Sequence, residues 1–120
     1  MDDRVRWLDY KGKRVLLSDL SNLRGQELVD VAEETERVIF EHGKKDILSL
    51  VDVTDAHVFG PSLGVLKKVR QNLYPYALKT AVIGISGAKA VLLQAVDKVT
   101  KGRESKVFRT RKEAMEYLVE

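Results

Sequence analysis

Two short apolar runs constrain the fold of this chain more than any other feature of its sequence. Their apolar residues are Ile47, Leu48, Leu50 and Val51 within residues 46–53, and Ala81, Val82, Ile83 and Ile85 within residues 79–86. Few polar residues interrupt either run, which is typical of strands that are covered on both faces. Strands of this kind belong to parallel sheets enclosed by helices, so the runs predict an α/β domain.

The start of the chain predicts an antiparallel hairpin that joins this sheet. In residues 4–10, Val5 and Trp7 alternate with charged neighbours, and residues 14–20 form a second, more apolar strand. Gly12 lies in the short connection, where a residue with positive φ allows a tight turn. The first strand should therefore run antiparallel to the second.

The periodicity of residues 24–42 predicts the first helix, with apolar residues on one side and acidic residues mostly on the other. Ser21 or Asn22 would cap its start, because their side chains accept hydrogen bonds from the first free backbone amides. Gly43 suits the left-handed residue that ends a helix.

Three further helices and one short strand complete the pattern. Residues 61–73 predict a helix that opens on Pro61, since proline is favoured at the first helical position. A third helix is predicted at residues 88–99 and a short strand near residues 106–108. The last helix is opened by the capping box Thr-Arg-Lys-Glu at residues 110–113.

The element order is therefore ββαβαβαβα. No internal repeat, low-complexity tract or linker divides the chain, so residues 1–120 predict one domain. We expect a mixed sheet of about five strands, the first of them antiparallel, with about four helices. Helices that connect neighbouring parallel strands should make right-handed crossovers.

Composition narrows the classes of function. The chain contains no cysteine, which excludes disulfides and thiolate chemistry. Its first residues lack the apolar stretch of a signal peptide and no apolar run has membrane-spanning length, so we expect a cytoplasmic protein. The net charge is +3, and residues 97–112 carry seven basic side chains with Phe108 as the one aromatic residue. Without a recognised nucleic-acid motif, this stretch predicts a solvated basic face and no nucleic-acid binding.

In order and spacing, several fragments resemble the SpoIIAA-like branch of the STAS superfamily, the sulphate-transporter and anti-sigma-antagonist fold. They are Trp7 with Tyr10-Lys11-Gly12-Lys13, Asp19, Asp52, Ala81-Val82-Ile83-Gly84 with Ser86-Gly87, and Phe108-Arg109-Thr110 leading to Glu113-Ala114-Met115-Glu116-Tyr117-Leu118. The likeness spans nearly the whole chain and implies a STAS-like fold. This branch has no settled activity, and it is also compared with SEC14-type lipid carriers.

The resemblance implies a phosphoacceptor at the start of the helix after the third strand. STAS anti-sigma antagonists carry a serine there that a partner kinase phosphorylates, in a segment like Asp-Ser-Ser-Gly-Leu-Gly-Val. Residues 59–66 read Phe-Gly-Pro-Ser-Leu-Gly-Val-Leu, so Ser62 is the nearest match. Pro61 replaces the residue before that serine, and the glycine between serine and leucine is missing.

Polar residues gather where the predicted parallel strands end, which is where ligands usually bind to such a sheet. The candidate partner-binding or ligand-binding residues are Asp19, Asp52, Asp55, His57, Gly60, Ser62 and Ser86. Turns and helix caps need the same residue types, so a purely structural role for these residues remains open.

Two local patterns in this set are better explained by turns than by chemistry. Residues 52–57 contain two aspartates and a histidine, but their spacing matches no metal signature, and we predict no metal site. Residues 84–89 lack the spacing of a phosphate-binding loop and the closing glycine of a nucleophile elbow. A tight strand-to-helix turn is the better interpretation of that segment.

The leading hypothesis from the sequence is a non-enzymatic regulatory or protein-interaction module without a cofactor. Its protein partner, of the anti-sigma or kinase type, would dock on the loop after the third strand and on the following helix start. The alternative is a carrier of a small apolar ligand, and an uncharacterised enzyme is the third hypothesis. An apolar slot would be lined by the aromatic residues Trp7, Tyr10, Phe40, Phe59, Tyr74 and Tyr76. The sequence leaves open whether the chain forms a homodimer.

Overall fold

The computed structural model describes residues 3–58, 60–85 and 105–120. In chain order its elements are β1 (Val5–Tyr10), β2 (Lys13–Asp19), α1 (Gly25–His42), β3 (Ile47–Asp52), α2 (Pro61–Leu73), β4 (Ala77–Ile83), β5 (Ser105–Phe108) and α3 (Arg111–Val119). The five strands form one sheet in the order β1-β2-β3-β4-β5. β1 pairs antiparallel with β2 and every other pair is parallel, which confirms the predicted α/β class and mixed sheet. The helix predicted at residues 88–99 lies outside the described residues.

Helices cover both faces of the sheet, as the apolar runs predict. Successive residues of a strand point to opposite faces, so neighbours in β2 enter different clusters. Leu17 packs in a cluster with Leu118 of α3, whereas Leu16 packs with Ile39 of α1 and Val69 of α2. The first four residues of β3 are all buried, which explains their unbroken apolar pattern. Among the residues that the structure describes, no helix combines the length and apolar character needed to cross a membrane.

The hairpin between β1 and β2 turns at Lys11 and Gly12, which have φ values of 50° and 80°. Positive φ at both central residues is the geometry of the two-residue turns that match strand twist. The turn also holds α3 in place: Tyr10 Oη donates to Glu116 Oε1 over 2.9 Å, and Lys11 Nζ lies 2.7 Å from both carboxylate oxygens. These bonds join the first and last elements of the chain.

The start of α1 differs from the prediction. The residue that precedes its first turn is Arg24, and no side chain caps the helix there. Ser21 and Asn22, the predicted caps, belong instead to a turn that follows β2, as described below. The predicted end is confirmed, because Gly43 is left-handed at φ 73° and donates its N–H to the Ile39 carbonyl over 3.1 Å.

Strand β4 begins and ends earlier than its apolar run indicates. It runs from Ala77 to Ile83, whereas the sequence predicts residues 79–86. Pairing with β3 fixes the start, since Ala77 lies opposite Ile47 with a register shift beside that pair. At the other end the backbone leaves the strand at Gly84, whose φ is 88°. The capping box of α3 is confirmed: Thr110 accepts a hydrogen bond from the Glu113 N–H at 3.2 Å.

Candidate functional site

Two turns with the same hydrogen-bond pattern lie side by side where β2 and β3 end. Asp19 and Asp52, the last residues of these strands, are paired in register. The Oδ1 atom of Asp19 accepts hydrogen bonds from Ser21 N at 3.0 Å and Ser21 Oγ at 2.6 Å. The Oδ1 atom of Asp52 accepts from Thr54 N at 2.9 Å and Thr54 Oγ1 at 2.7 Å. Each carboxylate therefore organises the backbone two residues ahead of it.

The likeness of these twin turns, residues 19–23 and 52–56, extends along their whole length. In the first, Leu23 donates its N–H to the Leu20 carbonyl over 3.2 Å, and Asn22 has φ 61°. In the second, the N–H of residue 56 bonds to the carbonyl of residue 53 over 3.0 Å, and Asp55 has φ 55°. Asparagine and aspartate tolerate positive φ better than most residues, which suits them to these positions.

The twin turns are bonded to each other. Leu20 donates to the Asp52 carbonyl at 2.8 Å and Asn22 to the Thr54 carbonyl at 2.9 Å. Farther along, His57 donates to the carbonyl of residue 23 at 2.9 Å, and the backbones of residues 24 and 57 form a parallel bridge. The pairing of β2 with β3 thus continues through both loops, which fixes the loop after β3 against the loop after β2.

The end of β4 packs against the second turn. Val53 donates its N–H to the Ile83 carbonyl at 2.9 Å. A Cβ atom on Gly84 would stand 2.3 Å from Thr54 Oγ1 and 2.4 Å from Thr54 N, so only glycine fits this contact. The carboxyl ends of β2, β3 and β4 are therefore joined to one another by hydrogen bonds and by the Gly84–Thr54 contact.

Arg4, the residue before β1, supports the first of the twin turns. Its Nη1 atom donates to the Ser21 carbonyl at 3.0 Å and to the Asp19 carbonyl at 3.3 Å, and it lies 3.7 Å from Asp19 Oδ1. Partial burial raises the pKa of Asp19, but the two hydrogen bonds from Ser21 and the nearby Arg4 charge outweigh it and lower that pKa. Asp19 is consequently an ionised carboxylate that holds a loop.

Beyond the twin turns the chain presents exposed polar groups before α2 begins. Thr54, Asp55, His57 and Gly60 are exposed, and we call these four residues the exposed rim. Gly60 precedes the first turn of α2 with φ 60° and ψ −135°, a conformation that favours glycine. The chain enters α2 at the edge where β3 ends, because the helix must run back to the start of β4.

The predicted site residues divide into three groups. Asp19 and Asp52 lie together but are half-buried and occupied by their own turns, while Asp55, His57 and Gly60 are exposed. Ser62 lies in the first turn of α2 and is only 6% exposed, so a kinase would reach its hydroxyl only if that turn opened. Ser86 lies outside the described residues. The roles of Arg4 and Gly84 were not predicted, although the repeated Asp-x-Ser/Thr spacing at residues 19–21 and 52–54 signals the twin turns.

A largely apolar cavity of about 220 Å³ lies between the sheet and the helices α1 and α2. Its lining differs from the predicted aromatic slot. Tyr74 is in the described lining, but Trp7, Phe40 and Tyr76 are not. The Trp7 ring contacts His42 and Arg14, and the Phe40 ring contacts Tyr76. Tyr10 bonds to Glu116, and residue 59 lies outside the described part of the chain. Among the described lining residues, aliphatic side chains are the most numerous.

Within the described ranges no group of three or more histidine, aspartate or glutamate side chains is placed to hold a metal ion. Asp52 accepts two hydrogen bonds from Thr54, whereas Asp55 is solvent-exposed. Comparisons of this chain with protein-family models, with curated proteins and with solved structures find no match.

Proposed function

We propose that this chain is a non-enzymatic regulatory or protein-interaction module with a STAS-like fold, and that it docks a protein partner through the exposed rim. The observation that supports the proposal most is the combination of exposure and fixed geometry at Thr54, Asp55 and His57. Cross-loop hydrogen bonds at Asn22 and His57 hold the start of this segment in place. A loop that is already ordered loses less conformational entropy when a partner binds.

The chemistry of the rim suits a polar partner surface. The Asp55 carboxylate and the His57 imidazole are both exposed and are two residues apart. They offer hydrogen-bond acceptors and a donor to side chains of a partner. The resemblance to STAS domains suggests an anti-sigma or kinase-type protein as that partner.

The carboxylates at the strand ends support a structural role for this edge over a catalytic one. Asp19 and Asp52 each accept two hydrogen bonds from a serine or threonine of their own turn. Asp19 also forms an ion pair with Arg4. Both side chains therefore stabilise the loops that carry the rim, as expected when function depends on loops set on a rigid scaffold.

Phosphorylation of Ser62 is a further part of the proposal. Ser62 lies at the start of α2, where the helix dipole favours a phosphate. Because the Ser62 side chain is buried, a phosphate on it would push the first turn of α2 outward. This movement would change the surface next to the rim. We expect Ser62→Asp to alter partner binding and Ser62→Ala to preserve it.

The experiment is a quantitative pull-down from the source cells with the full chain as bait. Asp55→Asn removes the charge and keeps a residue that tolerates positive φ, so the loop should stay intact. Asp9→Asn is the matched control, because Asp9 is exposed near the hairpin turn. This turn lies at the end of the strands opposite to the rim. A specific partner should be lost with Asp55→Asn and His57→Ala and retained with Asp9→Asn. Equal recovery of the same proteins by all baits would contradict docking at the rim.

A further inference from the structure

The cavity between the sheet and helices α1 and α2 supports an inference that goes beyond the proposed function. We infer that it binds the aliphatic chain of a medium-length carboxylic acid, with the carboxylate at the side where α2 contributes cations. The cavity lies under α2, and none of the four rim residues is in its described lining, although their neighbours Val53 and Val58 are. The two proposals have separate readouts, since partner capture tests the rim and octanoate binding tests the cavity.

The size of the cavity points to a ligand. Concave clefts lined mainly by apolar side chains, with a few polar groups, are typical sites for small molecules. This one measures about 220 Å³. Since an apolar cavity of about 150 Å³ already holds benzene, the space fits a chain of roughly six to ten carbons.

The wall of the cavity is suited to an aliphatic chain. Val51, Val82 and Leu66, from three different elements, are among its apolar lining residues. Two hydroxyls of the lining are satisfied within the protein, because Ser18 Oγ lies 2.9 Å from Thr35 Oγ1. Thr35 in turn donates to a backbone carbonyl of α1 over 3.0 Å. An apolar chain beside Ser18 and Thr35 would therefore leave neither hydroxyl without a hydrogen bond.

The charge of the lining favours an acid over an amine or an alcohol. Among the described residues that line the cavity, the charged ones are Lys67 and Arg70, and both are cations. They lie one turn apart on α2, and Lys67 is exposed, so its ammonium group stays hydrated at the opening. A carboxylate there would be attracted to both side chains while its tail enters the apolar space.

The test is a titration of the full chain with octanoate, octylamine and acetate, followed by calorimetry and by native mass spectrometry. We expect one octanoate per chain, at least tenfold weaker binding of octylamine, and no binding of acetate, which has the charge without the tail. Lys67→Glu should weaken octanoate binding about fivefold to tenfold, whereas Lys68→Glu should leave it unchanged. Lys68 is the matched control because it is an exposed neighbour on α2 that is absent from the described lining.

The variant Val51→Phe tests whether octanoate binds in the cavity and whether the cavity is open to a ligand. If the space is open to a ligand, the larger side chain should occupy it, abolish octanoate binding and leave the melting temperature of the free protein unchanged or higher. Absence of octanoate binding to the unmodified chain would overturn the inference. A marked loss of stability in Val51→Phe would show that protein side chains fill the space, and it would also overturn the inference. Equal affinity for octanoate and octylamine, or equal effects of Lys67→Glu and Lys68→Glu, would also overturn it.

Discussion

Gly84 rests directly on Thr54: a methyl group at Gly84 would stand 2.3 Å from the threonine hydroxyl oxygen and 2.6 Å from its Cα. The contact joins the end of β4 to the second of the twin turns. Because Thr54 also donates to Asp52, it links the packing of β4 to the hydrogen bonds of the loop after β3. The geometry of the exposed rim thus depends on a glycine in a neighbouring strand end.

Gly84→Ala should therefore destabilise the protein by about 2 kcal/mol or more, because the new Cβ meets backbone and the residue must also keep φ near 88°. Chemical denaturation measures this loss. Gly64→Ala is the control, since Gly64 lies in α2 with open space around it and alanine favours helix by about 0.5–1 kcal/mol. Similar losses for both variants would contradict the packing role of Gly84.

The twin turns should differ in their sensitivity to loss of the carboxylate. Asp52→Ala removes the acceptor for two hydrogen bonds of the second turn and should cost about 1–2 kcal/mol. Asp19→Ala removes two equivalent bonds and also leaves the part-buried Arg4 without its carboxylate. Denaturation of the two variants should give the larger loss for Asp19→Ala. The reverse order would mean that the ion pair between Arg4 and the Asp19 carboxylate contributes nothing to the first turn.

The contacts of Glu116 should contribute stability at neutral pH that is lost in acid. Hydrogen bonds from Lys11 and then Tyr10 lower the pKa of Glu116 below its ordinary value of 4.5. A carboxyl whose pKa is lower in the folded state contributes stability above its unfolded pKa and loses it as the pH falls through the folded pKa. The melting temperature of Glu116→Gln should therefore lie below that of the unmodified chain at neutral pH, and the difference should shrink toward about pH 3.

Glu33→Gln controls for the loss of one carboxylate, because Glu33 is exposed on α1. Its effect on the melting temperature should change less with pH than that of Glu116→Gln. A difference for Glu116→Gln that stays constant from neutral to acid pH would show that the contact with Lys11 and Tyr10 does not depend on charge.

Much of the fold follows from local patterns in the sequence. The apolar runs that become β3 and β4 predict a sheet covered on both faces, and Gly43 and Pro61 mark a helix end and a helix start correctly. These features depend on burial and on backbone geometry within a few residues. They are therefore visible without knowledge of the tertiary contacts.

The features that the sequence did not predict depend on contacts between distant segments. Ser21 and Asn22 have the composition of helix caps, but Asp19 accepts from Ser21, and Asn22 bonds to the carbonyl of residue 54. A turn and a cap use the same residue types, so the bonding across loops decides between them. The start of β4 at Ala77 is likewise set by its partner strand, because Ala77 pairs with Ile47, which is distant in the sequence.

The central claim is that a protein partner contacts the exposed rim, and site-specific photo-crosslinking in the source cells tests it most directly. A photoreactive residue in place of His57 should give one discrete crosslinked product, and Asp55→Asn in the same chain should reduce its yield at least fivefold. The same photoreactive residue in place of the exposed Glu33 on α1 should give no such product. No product at position 57, or the same product with equal yield at position 33, would contradict the account.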